Sequence, residues 1–251
     1  MAVVVVIGLL TAFWAAVAGL FQNDIKKVLA YSTISQLGYM FMAAGVAAFD
    51  VSIFHVFTHA FFKAALFLGA GAVIHALAGE QDMRKMGGML KKTPVTACVM
   101  LFAFFAIIGF PGFAGFWSKD LILERLYVSG PMGPYLYAIA LLTAVITAIY
   151  MGRLMVLTFF GKFRGGEELE KHVHEAPASM LIPMVILSFG SIFAGFLWAG
   201  LIPGANLFEQ MLAPVVGVAQ ASFAHSGAHV SPWIFALLGT IAAVFGMFVA
   251  W

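Results

Sequence analysis

Long apolar segments separated by short polar stretches dominate this chain. A transmembrane helix needs about 20 predominantly apolar residues to cross a ~30 Å hydrocarbon core. The segments are continuous and lack the residue-by-residue alternation of a membrane barrel, so the pattern favours helices. It predicts an all-α polytopic membrane protein with about seven transmembrane helices, at roughly 2–21, 31–49, 51–78, 94–128, 133–160, 178–202 and 231–251.

The fourth apolar segment carries an internal interruption. Proline lacks a backbone donor, and glycine lowers helix stability by about 1 kcal/mol relative to alanine. Unwound backbone at membrane depth is tolerated where it lines a cavity or is buried in protein. The sequence therefore predicts a discontinuous fourth helix, broken around Gly109, Pro111, Gly112 and Gly115.

Three ionisable side chains recur at every fourth residue of the third segment: His55, His59 and Lys63. At this spacing they share one helix face and span about 12 Å along the axis. Ionisable groups are costly inside a bilayer and usually mark a proton or ion path, in which the neighbouring Thr58 could hold a bridging water. The alternative is that the histidines only hydrogen-bond between helices and that Lys63 extends to the interface. The long apolar flanks of Lys63 favour the functional role.

A charged pair, Lys119 and Asp120, follows the break. Discontinuous helices that carry charge are typical of transport sites. Lys119 is therefore a candidate functional residue and Asp120 a second one. The alternative is that both mark the end of the fourth span and that Asp120 only neutralises Lys119.

Other polar residues have simpler interpretations. Asp24 is expected to form an ion pair at a loop edge, and Asp50 to cap a helix. His172, His174 and Glu175 cluster in a polar connection, but two histidines need further ligands to hold a metal. A polar stripe on the second segment is expected to hydrogen-bond to neighbouring helices, with water coordination as the alternative. The stripe contains Ser32, Thr33, Ser35, Gln36 and Tyr39.

Composition excludes several classes of function. Of the 251 residues 63% are hydrophobic and only 10% charged, against about 25% charged in soluble domains. The single cysteine, Cys98, excludes a disulfide within the chain. No stretch has the pattern of a phosphate loop, a catalytic triad, a zinc site or a nucleic-acid surface. We therefore expect no metal site and no nucleic-acid partner.

Lysine and arginine are distributed unevenly between the connecting segments. Nine of the thirteen fall in the first, third and fifth connections, and at most one, Arg125, falls on the other side. Cytoplasmic connections carry the excess of positive charge in membrane proteins. The pattern predicts a C-terminus in the cytoplasm or matrix and an extracytoplasmic N-terminus. Residues 203–230 are expected to form an extracytoplasmic loop with a short amphipathic piece at 207–218.

Four stretches together resemble the antiporter-like subunits of respiratory complex I: 22–38, 55–63, 109–120 and 174–177. They are ungapped and follow the family's order, and the resemblance covers essentially the whole chain. The pattern is most similar to the largest of these subunits, the L type of NADH:quinone oxidoreductase. Related subunits of Mrp-type cation/proton antiporters and of membrane-bound hydrogenases share much of it.

The resemblance implies a fold of two inverted five-helix repeats, each with a broken helix and a half-channel. On this basis residues 1–160 resemble the second repeat and 161–177 a cytoplasmic loop. Residues 178–251 resemble two flanking transmembrane helices joined by the extracytoplasmic loop.

The resemblance also implies proton translocation across a bacterial cell inner membrane or a mitochondrial inner membrane. His55, His59 and Lys63 match the family's central relay, and Lys119 matches its exit lysine. NADH, FMN, iron–sulfur clusters and quinone would belong to partner subunits, so no cofactor is expected in this chain. The implied partners are other membrane-arm subunits, especially the adjacent antiporter-like subunit, and the lipid bilayer.

Family members are much longer than this chain. It lacks a first repeat with its own glutamate–lysine pair, the last spanning helix and a long lateral helix, so we expect a fragment or the product of a split or truncated gene. Two other interpretations stay open. The chain could belong to a cation/proton antiporter or a membrane-bound hydrogenase, or it could be a non-conducting structural fragment.

Overall fold

The computed structural model describes residues 1–199, 207–221 and 231–251. These residues form α-helices and one short 3₁₀ helix, with no strand among them. Part of the predicted extracytoplasmic loop and the end of the sixth predicted segment lie outside the described residues. The elements are α1 (Ala2–Leu20), α2 (Ile25–Gly45), α3 (Phe49–Ala76), the 3₁₀ helix (Met83–Lys85), α4 (Met89–Lys92), α5 (Pro94–Ile108), α6 (Ala114–Tyr127), α7 (Gly133–Phe159), α8 (Glu167–His172), α9 (Ala178–Phe193), α10 (Phe196–Ala199), α11 (Leu207–Ala221) and α12 (Pro232–Ala250).

Four of these helices are long and apolar enough to cross a membrane, namely α1, α3, α7 and α12. They coincide with the first, third, fifth and seventh predicted segments. Helices α5 and α9 are apolar but shorter, with 15 and 16 residues, and α2 carries the polar stripe along its 21 residues. The predicted all-helical membrane architecture is thus confirmed for the described chain, whereas the count of seven spans stays a prediction.

Helix α3 lies at the centre of the bundle. It packs against α2, α5, α6, α9 and α11, while α1 packs along α2 and α12 along α7. With 28 residues, α3 is about 42 Å long, which exceeds a ~30 Å hydrocarbon core. Lys63 is the fifteenth of those 28 residues and therefore lies at mid-helix, enclosed by neighbouring helices.

The start of α2 differs from the sequence prediction. The helix begins at Ile25 rather than near residue 31, because Asp24 caps its N-terminus. The Asp24 carboxylate accepts hydrogen bonds from the backbone N–H groups of Lys26 at 2.8 Å and Lys27 at 3.1 Å. The predicted ion pair for Asp24 was therefore wrong, and the two lysines lie in the first helical turn rather than in a loop.

The start of α3 also differs from its prediction. Its N-cap is Ala48, and Asp50 lies one position inside the first turn, where it is buried. A carboxylate in the first turn is stabilised by the positive end of the helix dipole. Asp50 thus stabilises the helix start without being its cap residue.

The predicted interruption of the fourth segment is present between α5 and α6. Helix α5 ends at Ile108, and Gly109 follows in the left-handed conformation with φ of 79°. Gly112 also has a positive φ of 88°, and Pro111 lies exposed between them. A Cβ atom at Gly115 would overlap the carbonyl oxygen of Ala106. The glycines therefore allow the chain to leave helical geometry after Ile108 and α6 to begin close to the last turn of α5.

The polar cluster near residue 174, for which no metal site was predicted, makes structural contacts. Glu175 caps α5, since its carboxylate accepts from the backbone N–H of Val95 at 2.8 Å and from the Thr96 hydroxyl at 2.6 Å. The His174 ring stacks on His75 with centroids 6.3 Å apart. Within 1–199, 207–221 and 231–251, no three His, Cys, Asp or Glu side chains group together as metal ligands.

The polar connection after α3 is held by local charge pairs. Arg84 donates to both carboxylate oxygens of Asp82, at 2.7 Å for the shortest contact, and Lys85 pairs with Glu80 at 3.0 Å. The hydrogen bond from the Arg84 guanidinium lowers the pKa of the Asp82 carboxyl to about 2. These pairs are exposed and contribute little to the free energy of unfolding.

Close backbone contact joins α1 to α2. A Cβ atom at Gly38 would lie 2.5 Å from the backbone nitrogen of Ala12 and 2.7 Å from the carbonyl oxygen of Gly8. Backbone cannot move aside as a flexible side chain does, so only glycine fits at this crossing. The contact keeps one face of α2 on α1 and leaves another face for α3.

We predict that Gly38→Ala destabilises the protein, because the added methyl group forces α1 and α2 apart. The expected loss is about 1–3 kcal/mol in the free energy of unfolding, measured by thermal or denaturant unfolding of the purified protein. Gly71→Ala is the matched control, since a Cβ atom there meets nothing within 4 Å. Equal stability of the two variants would contradict the proposed close packing.

Candidate functional site

The ionisable ladder of α3 points into the helix bundle. His55, His59 and Lys63 are 1%, 9% and 5% exposed, respectively. Lys119 on α6 is 2% exposed. Ionisable side chains are almost never buried this deeply unless they are paired or functional.

His55 is connected to two neighbouring helices by hydrogen bonds. Its Nδ1 atom lies 2.9 Å from the hydroxyl of Ser118 on α6, and its Nε2 atom lies 3.1 Å from the amide oxygen of Gln36 on α2. The Thr58 hydroxyl donates to Ser118 at 2.8 Å. Because Ser118 directly precedes Lys119, these contacts join the ladder to the broken helix.

The hydrogen bonds around His55 indicate which ring nitrogen carries the hydrogen and which accepts one. An amide oxygen can only accept, so the Nε2 atom facing Gln36 carries the hydrogen. In the neutral ring, Nδ1 then accepts from the Ser118 hydroxyl, which accepts from Thr58 in turn. When Nδ1 gains a proton, the Ser118 hydroxyl can turn to the carbonyl oxygen of Ala114, 3.3 Å away.

Among the described residues, Lys63 has only neutral hydrogen-bond partners. Its Nζ atom donates to the Ser32 hydroxyl at 2.8 Å and to the carbonyl oxygen of Leu29 at 3.3 Å, both on α2. The ion pairs found among the described residues lie elsewhere, around Asp82, Glu80 and Glu170. A lysine without a fixed carboxylate partner can exchange protons without leaving a buried negative charge unpaired.

His59 lies between the two connected groups. Its ring centroid is 6.2 Å from that of His55, and its Nε2 atom is buried with no hydrogen-bond partner in the part of the chain that the structure describes. Buried polar atoms in proteins are normally satisfied by protein or ordered water. Proton transfer between His55 and His59 therefore requires a water molecule between the rings or a rotation of one ring.

Lys119 and Asp120 point in different directions. The Lys119 Nζ atom lies 5.1 Å from the ring centroid of Tyr39 and has no hydrogen-bond partner within the described chain. Asp120 faces α12, where a Cβ atom at Gly239 would lie 2.5 Å from its Oδ1 atom. The two side chains form no direct ion pair, but they are close enough to interact electrostatically, so partial neutralisation of Lys119 by Asp120 stays open as an alternative.

The predicted supporting residues are mostly brought together here. Thr58, Ser32 and Gln36 contact the ladder directly, whereas the Thr33 hydroxyl donates within its own helix to Leu29 at 2.9 Å. Sequence reasoning missed Ser118 as the bridge. Its position directly before Lys119 was the available signal.

A second set of polar residues was also missed, on α7. Thr143 and Thr147 are spaced four apart, and Tyr150 follows three residues later, so all lie on one face. All three are buried. This repeat in an otherwise apolar segment was the signal that could have revealed them.

Residues 1–160 match the family model described as NADH:quinone oxidoreductase/Mrp antiporter, transmembrane. NADH-quinone oxidoreductase subunit L of Rhodobacter capsulatus is 50% identical over 206 residues, covering 78% of this chain and 29% of that protein. NADH-ubiquinone oxidoreductase chain 5 of Metridium senile is 43% identical over 242 residues, covering 96% of this chain and 38% of that protein. The chain thus spans between 29% and 38% of the length of these relatives.

A solved structure supports the same grouping. The chain aligns with a structure of an Mrp complex from a Dietzia species with a TM-score of 0.72 and 26% sequence identity. The alignment covers 96% of this chain and 26% of that chain. The helical arrangement described above is therefore similar to an antiporter-like fold.

We predict that neutral His55 carries its hydrogen on Nε2, because Gln36 can only accept there. Nitrogen-15 NMR of histidine-labelled protein distinguishes the two tautomers by the chemical shifts of the ring nitrogens. Replacing Gln36→Leu removes the acceptor and should produce a mixture of tautomers. The exposed His75 on the same helix is the internal control, and a dominant Nδ1–H form of His55 would contradict the assignment.

Proposed function

The chain belongs to the NADH:quinone oxidoreductase/Mrp antiporter transmembrane family, and from this premise we propose that it translocates protons across an energy-transducing membrane as part of NADH:quinone oxidoreductase. The observation that carries the proposal is the buried polar path from Lys63 on α3 to Lys119 on α6. Every titratable group along it is an amine or an imidazole, which accept and release protons reversibly. The relatives named as subunits of that complex support the same assignment.

Each residue of the path has a role in this proposal. Lys63 receives a proton, and a conformational or electrostatic change elsewhere in the assembly drives its release. His59 and His55 pass the proton along α3, and Ser118 connects His55 to the region of Lys119. After each transfer the Ser118 hydroxyl turns back from the Ala114 carbonyl to His55 Nδ1, so that it can donate to His55 again. Lys119 then releases the proton toward the extracytoplasmic side.

The helix break gives α6 its position in this path. Because the chain restarts as a helix at Ala114, Ser118 contacts His55 and Lys119 lies over the Tyr39 ring. The exposed unwound segment around Pro111 leaves backbone groups free to bind water. We therefore include Gly109, Pro111, Gly112 and Gly115 in the functional unit as positioning residues.

The organisation of the chain follows from the same proposal. Residues 1–160 form an antiporter-like repeat, the second of an inverted pair, residues 161–177 a cytoplasmic loop, and residues 178–251 two flanking transmembrane helices. The excess of lysine and arginine in the first, third and fifth connections sets the orientation in the membrane, with an extracytoplasmic N-terminus and a cytoplasmic C-terminus.

Partner subunits supply the electron chemistry. NADH, FMN, iron–sulfur clusters and quinone are bound outside this chain, which contributes to the enzyme only as its translocase part. The neighbours are other membrane-arm subunits, above all an adjacent antiporter-like subunit. The membrane is the bacterial cell inner membrane or the mitochondrial inner membrane.

A second candidate function is cation/proton antiport, favoured by the similarity to the Mrp complex. Sodium sites in transporters use carboxylates and unwound backbone carbonyls. Asp120 has a buried Oδ2 atom without a hydrogen-bond partner in the described chain, close to the break. The path itself consists of nitrogen bases and hydroxyls, so protons are the better supported substrate.

We predict that Lys63→Ala and Lys119→Ala, in the assembled complex that contains this chain, each abolish most NADH-driven proton pumping. The reason is that each removes an essential proton acceptor from the path. The measurement is the acidification of proteoliposomes, normalised to the amount of assembled complex. Lys85→Ala is the matched control because Lys85 is exposed and pairs only with Glu80. Normal assembly with unchanged pumping in both path variants would instead support a non-conducting structural fragment.

We predict that Asp120→Asn leaves sodium flux unchanged, because protons are the transported species. Radioactive sodium uptake into the same proteoliposomes is the measurement, with Glu80→Gln as the exposed carboxylate control. A sodium-dependent flux in the unsubstituted complex that Asp120→Asn eliminates would establish antiport in place of the leading proposal.

A further inference from the structure

Buried hydroxyl groups also extend from Lys63 along helices that carry no histidine of the ladder. They belong to α2 and α7, whereas the histidines belong to α3. None of these residues is more than 1% exposed. They are Ser32, Tyr150, Thr147, Thr143 and Tyr39.

The first contacts of this set begin at Lys63. Its Nζ atom donates to the Ser32 hydroxyl at 2.8 Å. The Tyr150 hydroxyl interacts with the side chains of Ser32 and Thr147, yet no protein atom satisfies it in direct hydrogen-bond geometry within the described chain. A fully buried phenol of this kind requires a further partner, and in a polar cavity that partner is water.

The middle of the set runs along one face of α7. Thr147 donates to the carbonyl oxygen of Thr143 at 2.9 Å, and Thr143 donates to that of Ile139 at 2.8 Å. Each hydroxyl oxygen keeps a lone pair that can accept from a water or a neighbouring hydroxyl. The two threonines therefore offer acceptors about one helical turn apart, ~6 Å along the axis.

The far end of the set reaches Lys119. The Tyr39 hydroxyl interacts with the Thr143 side chain and donates to the carbonyl oxygen of Ala140 at 2.5 Å. The Lys119 Nζ atom lies over the Tyr39 ring, 5.1 Å from its centroid. The Lys119 Nζ atom has no hydrogen-bond partner in the described chain. The set therefore ends at a buried amine that requires a partner such as water.

A purely structural role explains these residues less completely. If they only tied α2 to α7, each hydroxyl would be satisfied by a direct bond, because a half-satisfied buried polar set costs more than an apolar contact. The Tyr150 hydroxyl and the Lys119 Nζ atom, at two places along the set, have no hydrogen-bond partner among the described residues. Water that completes these bonds would form a continuous chain between the two lysines.

We propose that Ser32, Tyr150, Thr147, Thr143 and Tyr39 line a second proton branch between Lys63 and Lys119, parallel to the branch through His59 and His55. This proposal rests on the proposed function of the two lysines. A proton moves along the branch by exchange. Each hydroxyl turns from the backbone carbonyl it now contacts toward the next water, accepts a proton on one side and releases its own on the other. Each phenol is neutral before and after the transfer.

The test uses two pairs of substitutions, each of which blocks one branch, and compares them separately and together. The protein is the assembled complex, reconstituted in proteoliposomes and driven by NADH. One block is Tyr150→Phe with Thr147→Val, and the other is His55→Ala with His59→Ala. For parallel branches, each block alone should lower the rate of proton pumping by roughly half and the combination by at least ~10-fold. For a single path, the combination would equal the more severe block alone, which would overturn the second branch.

Two substitutions serve as matched controls. Tyr135→Phe removes a phenol from the exposed part of α7. Thr240→Val removes a hydroxyl that donates to the carbonyl four residues earlier at 2.8 Å, the same local bond that Thr147 makes. Neither should lower pumping below the level of the background into which it is introduced, with or without the histidine substitutions, and a loss equal to that of the branch variants would overturn the proposal.

A second variant covers the case in which Tyr150→Phe reduces assembly. Incorporating 3-fluorotyrosine at position 150 keeps the shape and the hydrogen bonds but makes the phenol more acidic. In the histidine-blocked background, proton transfer through this hydroxyl should shift the pH profile of pumping, whereas a structural tie would leave it unchanged. An unchanged profile would overturn the branch.

The lysine variants separate this proposal from the one on which it rests. Loss of pumping in Lys63→Ala and Lys119→Ala, without a further loss when both blocks are combined, would reject only the second branch. Unchanged pumping in the lysine variants would reject the proposed function itself.

Discussion

The rest of this structure depends on the cost of burying Lys63 at the middle of a long apolar helix. An amine in that position must be given hydrogen-bond acceptors, because the bilayer offers none. Helix α2 provides them as the Ser32 hydroxyl and the Leu29 carbonyl, both neutral. A carboxylate would bind the lysine more tightly and would also hold its proton. Neutral acceptors stabilise the side chain and leave it able to change protonation.

This requirement explains how the surrounding helices are arranged. Gly38 and Gly8 bring α1 into backbone contact with α2, and Ser35 donates to the Ala12 carbonyl at 2.9 Å across the same contact. A neighbouring face of α2 is thereby left to present Gln36 and Ser32 to α3. The small residues of α2 pack against α1 and its polar residues hydrogen-bond to α3. Together these contacts fix the rotation of α2 about its own axis.

The interruption between α5 and α6 determines which side chains of α6 lie next to α3. A continuous helix through residues 94–127 would carry Ser118 away in the direction set by α5. After the interruption at the glycines, Ser118 lies 2.9 Å from His55 and Lys119 lies over the Tyr39 ring. Local backbone strain relief by glycine thus determines which side chains the central helix can reach.

The sequence by itself determined the helical membrane architecture, the ladder of α3, the broken helix and the candidate lysines. These features depend on hydrophobic length, on spacing along one helix and on the backbone chemistry of glycine and proline, all of which are local. The position of the α2 start also had a local signal, the cap at Asp24, but it was misread as an ion pair.

Only the tertiary structure decided which groups meet. Ser118 bridging to His55, Lys119 lying over the Tyr39 ring and the approach of Tyr150 to Ser32 each join different helices. Such contacts depend on how helices rotate and cross, which is set by the packing of side chains from several segments at once. No spacing within one helix contains that information, and this is why the sequence identified the individual groups while the path between them required the fold.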